Sequence, residues 1–228
     1  MPSFMNHPTS TVTCTATGVR TQHLITLITG LLLCIWSTVG NAESAKAYLA
    51  GGCFWCMEAD FEKLEGVSEV VSGFSGGELK NPTYKGNHKG HYETVEIIYN
   101  PKVVSYQQLL EHFWINIDPF DAKGQFCDKG HSYKAAIFVA DQDQRALAEA
   151  MLEKVKAHFP GQTVVMPILD KSVFYPIQGN ESYHQNYYKH SKGRYTFYRT
   201  LCGRDRRLEK VWGKDRQATQ KQIFHGKG

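Results

Sequence analysis

The stretch HYETVEIIY, from His91 to Tyr99, alternates strictly between two sets of side chains, and this limits the folds open to the chain. Successive strand residues point to opposite faces, so Glu93, Val95, Ile97 and Tyr99 share one face and Thr94, Glu96 and Ile98 the other. A strand that is apolar on one side needs partner strands and a covering layer. Residues 46–50 (KAYLA), stopped by Gly51-Gly52, and Val67–Phe74, closed by Gly76-Gly77, supply strands. Ala135–Ala140 and Thr163–Leu169 supply two more. Helical spacing is predicted over residues 57–64 and again after Ser105, where Tyr106, Leu109, Leu110, Phe113 and Trp114 recur on one side. Asp141 with Gln144 makes a capping-box-like start for a third helix running to about His158.

The order β-α-β-β-α-β-α-β predicts an α+β domain. The expected core is a ferredoxin-like two-layer arrangement, a mostly antiparallel sheet with helices on one face. An irregular C-terminal extension with one short helical stretch follows. Turn-rich loops occupy Asn81–Gly90 and Asp118–His131. A chain of 228 residues, 42% hydrophobic and 21% charged, is long enough for one sizeable core and does not have a disordered composition.

Residues 1–42 stand apart. Arg20 is their one strong charge, and an apolar run from Leu24 to Val39 ends in Gly40-Asn41-Ala42. This pattern reads as a signal peptide, with export to the periplasm; the alternative is a membrane anchor through residues 24–39, which are short for a span of about 20 residues. Cleavage after Ala42 removes Cys14 and Cys34 and leaves Cys53, Cys56, Cys127 and Cys202. The expected division is a leader at 1–42, a catalytic domain at 43–212 and a basic, flexible tail at 213–228. From Cys202 onward, eight Lys/Arg face three Asp/Glu. No interleaved aromatic pattern accompanies these charges, so a solvated tail is expected rather than nucleic-acid binding.

The chemistry concentrates in GGCFWC, Gly51–Cys56. Cys53 lies between a strand end and a helix start, where amide dipoles favour thiolate and lower a thiol from about 8.5 into the range of about 3.5–7.5. Cys56 is its neighbour on the same helix face. A disulfide across so small a loop stabilises little, so it suits a bond that forms and breaks. Zinc is disfavoured because Cys127 and Cys202 do not form a second C-x-x-C, and no metal site is expected. Phe54 and Trp55 suit the walls of a pocket for a small apolar group, although plain core filling explains them as well. Glu93 faces inward, where burial leaves a neutral acid able to donate a proton; a carboxylate paired with Arg or Lys is the rival reading. Tyr84, Tyr133 and Asp128 come from the two loops, and lone loop tyrosines more often serve packing. Cys127 reads as packing.

An ordered series of motifs resembles one family, the type A peptide methionine sulfoxide reductases. The series is GGCFWC at 51–56, SGFSGG at 72–77, NPTY at 81–84, GHYETV at 90–95, GQFCDKGHSY at 124–133, YHQNYY at 183–188 and CGRD at 202–205. The resemblance covers roughly residues 47–212. It implies an enzyme that reduces the S-epimer of methionine sulfoxide, free and in proteins. It also implies that Cys53 attacks the sulfoxide sulfur, Glu93 protonates its oxygen, Tyr84 and Tyr133 hold that oxygen, and Asp128 polarises the site through water. Phe54 and Trp55 resemble the cage for the substrate methyl group. A Cys53 sulfenic acid would then condense with a second thiol. Cys56 and Cys202 are both implied as resolving thiols, and a relay through both stays open. The resemblance implies no cofactor, a thioredoxin-type dithiol as electron source and a monomer. Ser132-Tyr133-Lys134 departs from the family's Gln-Tyr-Arg, and Asn180 lies in an expanded loop; substrate contacts are expected to change there, not chemistry.

Overall fold

The computed structural model describes residues 44–226. The leader and its apolar run, with the expectations of cleavage or anchoring, lie outside the described residues. Among the described residues no helix is long and apolar enough to cross a membrane.

The main sheet is built from β1 (Ala45–Gly51), β2 (Val67–Ser75), β3 (Tyr92–Tyr99), β6 (Ala135–Val139), β7 (Ile168–Asp170) and β8 (Tyr175–Pro176), in the order β7-β6-β1-β3-β2-β8. All neighbours are antiparallel except β6 with β7. A separate two-residue pair, β4 (Gly124–Gln125) and β5 (Asp128–Lys129), folds the second turn-rich loop on itself. The alternation read from the sequence decides which face is covered. Leu49, Val70, Val95, Ile97 and Ile137 form one core with Met57 and Phe61 of α1 (Phe54–Phe61), Leu109 and Phe113 of α2 (Tyr106–Trp114), and Met151 and Val155 of α3 (Gln142–His158). The opposite face carries a small cluster of Tyr48, Ala50, Tyr92, Ala136 and Phe138 under Phe174 and Leu169. Thus the α+β expectation, helices on one face, matches the observed architecture.

Local sequence explains the starts of the second and third helices. Ser105 and Gln108 form a reciprocal capping box on α2, and Asp141 accepts from the Gln144 amide at the head of α3.

The C-terminal third differs from expectation. Instead of an irregular extension and a solvated tail, it contains α4 (Tyr187–His190), α5 (Lys192–Cys202), α6 (Arg204–Trp212) and α7 (Arg216–His225). Few apolar residues anchor these helices: α5 buries Tyr195, α6 buries Leu208 and Trp212, and α7 buries Phe224. Hydrogen bonds contribute the rest. Arg216 donates to Ile115 O and Asn116 Oδ1, and Thr219 Oγ donates to Trp212 O. Such helices carry too sparse an apolar stripe to announce themselves by periodicity.

Candidate active site

The turn that delivers Cys53 requires glycine. Gly52 has φ +86°, and a Cβ there would lie 2.7 Å from Gln125 Cβ. Gln125 cannot yield, because its amide exchanges two bonds of 2.8 Å with the Asp118 backbone. From this turn, Cys53 caps α1, and Cys56 and Met57 donate to its carbonyl.

The first amide of α1 meets the inward carboxyl of β3: Phe54 N donates to Glu93 Oε2 at 3.0 Å. Glu93 is 2% exposed, and no Arg or Lys among the described residues pairs with it. Burial pushes its pKa to about 8, against the opposing pull of the Phe54 amide. At neutral pH it is a protonated acid.

Burial also acts against one expectation. Cys53 is 6% exposed, and desolvation, then the adjacent Cys56 and the Glu93 carboxyl, push its thiol well up. This desolvation opposes the helix-terminus effect at Cys53. Cys56 is lowered, first by the hydrogen bond from Cys53 and then by the charges of Arg204 and Arg199, which outweigh its own burial.

The two loop tyrosines reach the same place. Burial pushes both the Tyr84 and the Tyr133 phenol up, so they stay neutral donors. Glu181 fixes the Tyr84 turn by accepting from the Tyr84 and Lys85 amides at 2.7 and 2.8 Å. Asp128 accepts from the Tyr198 hydroxyl at 2.5 Å, and its pKa is raised mainly by burial.

Phe54 and Trp55 head α1 within an aromatic box. The Trp55 ring stacks on Tyr187 at 4.0 Å, and its indole donates to His184 Nδ1 at 3.1 Å. Phe54 stacks on Tyr84 at 5.9 Å, and Tyr84 lies 4.0 Å from His184. Asn186, at φ 54°, turns the chain so that Tyr187 reaches Trp55, and its amide donates to buried Glu58.

Sequence reasoning did not single out Tyr198, His184, Tyr187 or Arg204. Arg204 is 1% exposed and lies under the cysteine turn, donating to Gly51 O at 3.1 Å and Asn116 O at 2.8 Å. It pairs with Asp60 at 3.5 Å and stacks on Phe126. The spacing of Tyr195, Tyr198, Arg199 and Cys202 is the signal that places them on one inward helix face.

The remaining cysteines differ from expectation too. Cys53 and Cys56 are free, whereas Cys127 is not mere packing: it forms a disulfide with Cys202 across 75 residues. The Cys202 sulfur is therefore engaged, and Cys56 is the free thiol beside Cys53. Cys127, Asp128 and Cys202 cluster within 4.8 Å, but sulfurs bonded to each other are not thiolate ligands for a metal.

A family model described as peptide methionine sulfoxide reductase matches residues 45–216. The peptide methionine sulfoxide reductase MsrA 2 of Caulobacter vibrioides is 42% identical over 198 residues, 84% of this chain and 99% of that protein. The peptide methionine sulfoxide reductase MsrA/MsrB of Vibrio cholerae is 40% identical over 187 residues, 80% of this chain; the chain spans about half, 49%, of that longer protein. Among solved structures, Mxr1 from Saccharomyces cerevisiae in reduced form aligns with a TM-score of 0.57 at 27% identity, covering 65% of this chain and 86% of that one.

Proposed function

The chain belongs to the type A peptide methionine sulfoxide reductases, which are oxidoreductases, and from that premise we propose how its own residues carry the reaction. It reduces the S-epimer of methionine sulfoxide, free and in proteins, to methionine. The observation that carries this reading is the buried Glu93 carboxyl, held by the Phe54 amide beside Cys53.

Sulfoxide sulfur is a poor electrophile until its oxygen gains a proton. Glu93 supplies that proton, and the neutral Tyr84 and Tyr133 hydroxyls hold the same oxygen. Phe54 and Trp55 enclose the methyl group, with Trp55 fixed by Tyr187 and His184. Cys53 Sγ then attacks; the S–O bond passes from substrate to Cys53, which becomes sulfenic acid as methionine leaves. Asp128 and Tyr198 orient water and polar groups at this edge.

Cys56 resolves the intermediate. It is the free thiol next to Cys53, and the nearby Arg204 and Arg199 charges favour its thiolate. Attack on the sulfenic sulfur expels water and leaves a Cys53–Cys56 disulfide. A thioredoxin-type dithiol supplies the two electrons that restore both thiols, and the chain works without a cofactor, as a monomer. Export through the 1–42 leader completes the reading; N-terminal sequencing of periplasmic protein tests it.

Purified protein incubated with racemic methionine sulfoxide and dithiothreitol tests the activity. The S-epimer is consumed and the R-epimer persists; if neither is consumed, the reading fails. Single-turnover methionine formation vanishes in Cys53→Ser and survives in Cys56→Ser, where Cys53 gains one oxygen by mass spectrometry.

A further inference from the structure

Glu58 is a buried acid for which the reaction above has no task. It lies on α1 three residues beyond Trp55, on the same side of the helix, and is fully buried. Its Oε1 accepts from the Asn186 amide at 2.8 Å. Its Oε2 has no partner among the described residues, and neither has the Ser72 hydroxyl beside it. A carboxyl taken out of water for one hydrogen bond returns little stability. Its place on α1 is explained by what that bond holds.

The bond holds the turn that brings an aromatic ring to the cage. Asn186 has φ 54°, a left-handed conformation that a non-glycine residue keeps only where its surroundings fix it. The residue before it is anchored to β2: Gln185 accepts from Ser72 N at 2.9 Å and donates to Ser72 O at 2.7 Å. The residue after it, Tyr187, lies on Trp55 with ring centres 4.0 Å apart and planes within 16° of parallel. Farther along, Glu62 accepts from the Tyr188 hydroxyl and from Lys189 Nζ, the latter at 2.6 Å. The Lys189 side chain is half exposed, so that second anchor is screened by solvent and weaker. Thus α1 carries one wall of the cage at Trp55. One turn later it carries the acceptor for the segment that backs this wall.

We propose that Glu58 is a positioning residue that sets the width of the methyl cage. By holding the Asn186 amide it keeps Tyr187 against Trp55, and the site then tells an S-methyl sulfoxide from a larger S-alkyl one. The inference rests on the reductase reading above and adds the residue that fixes its selectivity. An apolar pocket discriminates one methylene by about 10–200-fold only while its walls hold their places. A Trp55 ring freed from Tyr187 gives way to the larger group.

The test compares the S-epimers of methionine sulfoxide and ethionine sulfoxide, one methylene larger at the sulfur, with dithiothreitol as reductant. The full chain should prefer the methyl compound about tenfold in kcat/KM. Glu58→Met keeps the size of the side chain and removes the acceptor. Its preference should fall to about twofold, with the loss for methionine sulfoxide seen in KM more than in the saturated single-turnover rate. Glu58→Gln keeps an oxygen for the Asn186 amide and should restore both. Tyr187→Leu should lose the same preference, and adding Glu58→Met to it should cost no more, because the two act as one unit. Circular dichroism checks that each variant is folded.

A wild type without preference, a preference kept in Glu58→Met or in Tyr187→Leu, or additive losses in the double variant each overturn the proposal. Loss of preference in Glu58→Gln overturns it as well, and that variant decides even where Glu58→Met does not fold. A wild type that reduces neither compound sinks the reductase reading instead.

Discussion

The Phe54 amide and the Glu93 carboxyl meet at 3.0 Å, joining the first residue of α1 to the inward face of β3. One bond thus sets the distance between the nucleophile's helix and the acid. It also defines what a substitution removes. Glu93→Gln keeps an oxygen for the Phe54 amide and loses the proton, so kcat/KM for methionine sulfoxide should fall by about 10² to 10⁴. The acid form exists below about pH 8. The wild-type single-turnover rate should therefore decline as pH rises through about 8, and the Gln variant should lack that limb. Rapid-quench measurement of methionine from pH 6 to 9.5 checks both.

The same burial makes stability fall with pH. Glu58, fully buried on α1, is pushed to about 8 as Glu93 is, chiefly by desolvation. Both ionise near 4.5 once the chain unfolds. Between these values the unfolded chain holds fewer protons than the folded one, so unfolding becomes easier as pH rises. On these groups, stability is full below about 4.5 and is lost progressively up to about 8. Urea midpoints at pH 5 and pH 8 should show the drop, and Glu58→Gln/Glu93→Gln should reduce it.

Much of this was legible before any coordinates, for a physical reason. A half-buried strand must alternate, so the inward set of Glu93, Val95 and Ile97 follows from spacing alone, and so does the layer that covers it. Arg204 did not yield to the same reasoning. In CGRD it looks like part of a basic tail, because charge runs read alike whether solvated or inserted between Gly51 and Asn116. His184 and Tyr198 sit where aromatics are dense and unperiodic, so packing and function share one signature there. Cys127 and Cys202 are 75 residues apart, and no spacing rule encodes a closure made by α5 returning over the β4–β5 loop. At Cys53 the terminus effect legible in the sequence meets an opposing burial that spacing does not show.

Arg204 should be the costliest basic residue to remove. It serves two backbone carbonyls and Asp60 in a site 1% exposed, so Arg204→Ala leaves these groups without it. A loss of about 3–5 kcal/mol is expected in denaturant unfolding. Arg204→Lys should not rescue it, since an ammonium cannot fork to both carbonyls. Because Arg204 helps lower the Cys56 pKa, alkylation of Cys56 in the reduced protein at pH 7 should also slow several-fold.

The C-terminal helix should prove part of the fold rather than an appendage. Phe224 of α7 is 5% exposed, and Lys154 donates to its carbonyl at 3.1 Å. His225 meets the buried Glu111 carboxylate at 2.9 Å, and Arg216 donates to Ile115 O at 3.0 Å. Phe224→Ala should cost about 3–5 kcal/mol, or roughly 10 °C in Tm for a domain of this size. Truncation after Gly213 removes the same contacts together with those of Arg216 and Thr219, so its loss should be at least as large. A solvated tail predicts no change in either variant. Thermal unfolding by circular dichroism separates the two, and dithiothreitol-driven turnover at 20 °C should survive Phe224→Ala, because α7 touches none of the groups around Cys53.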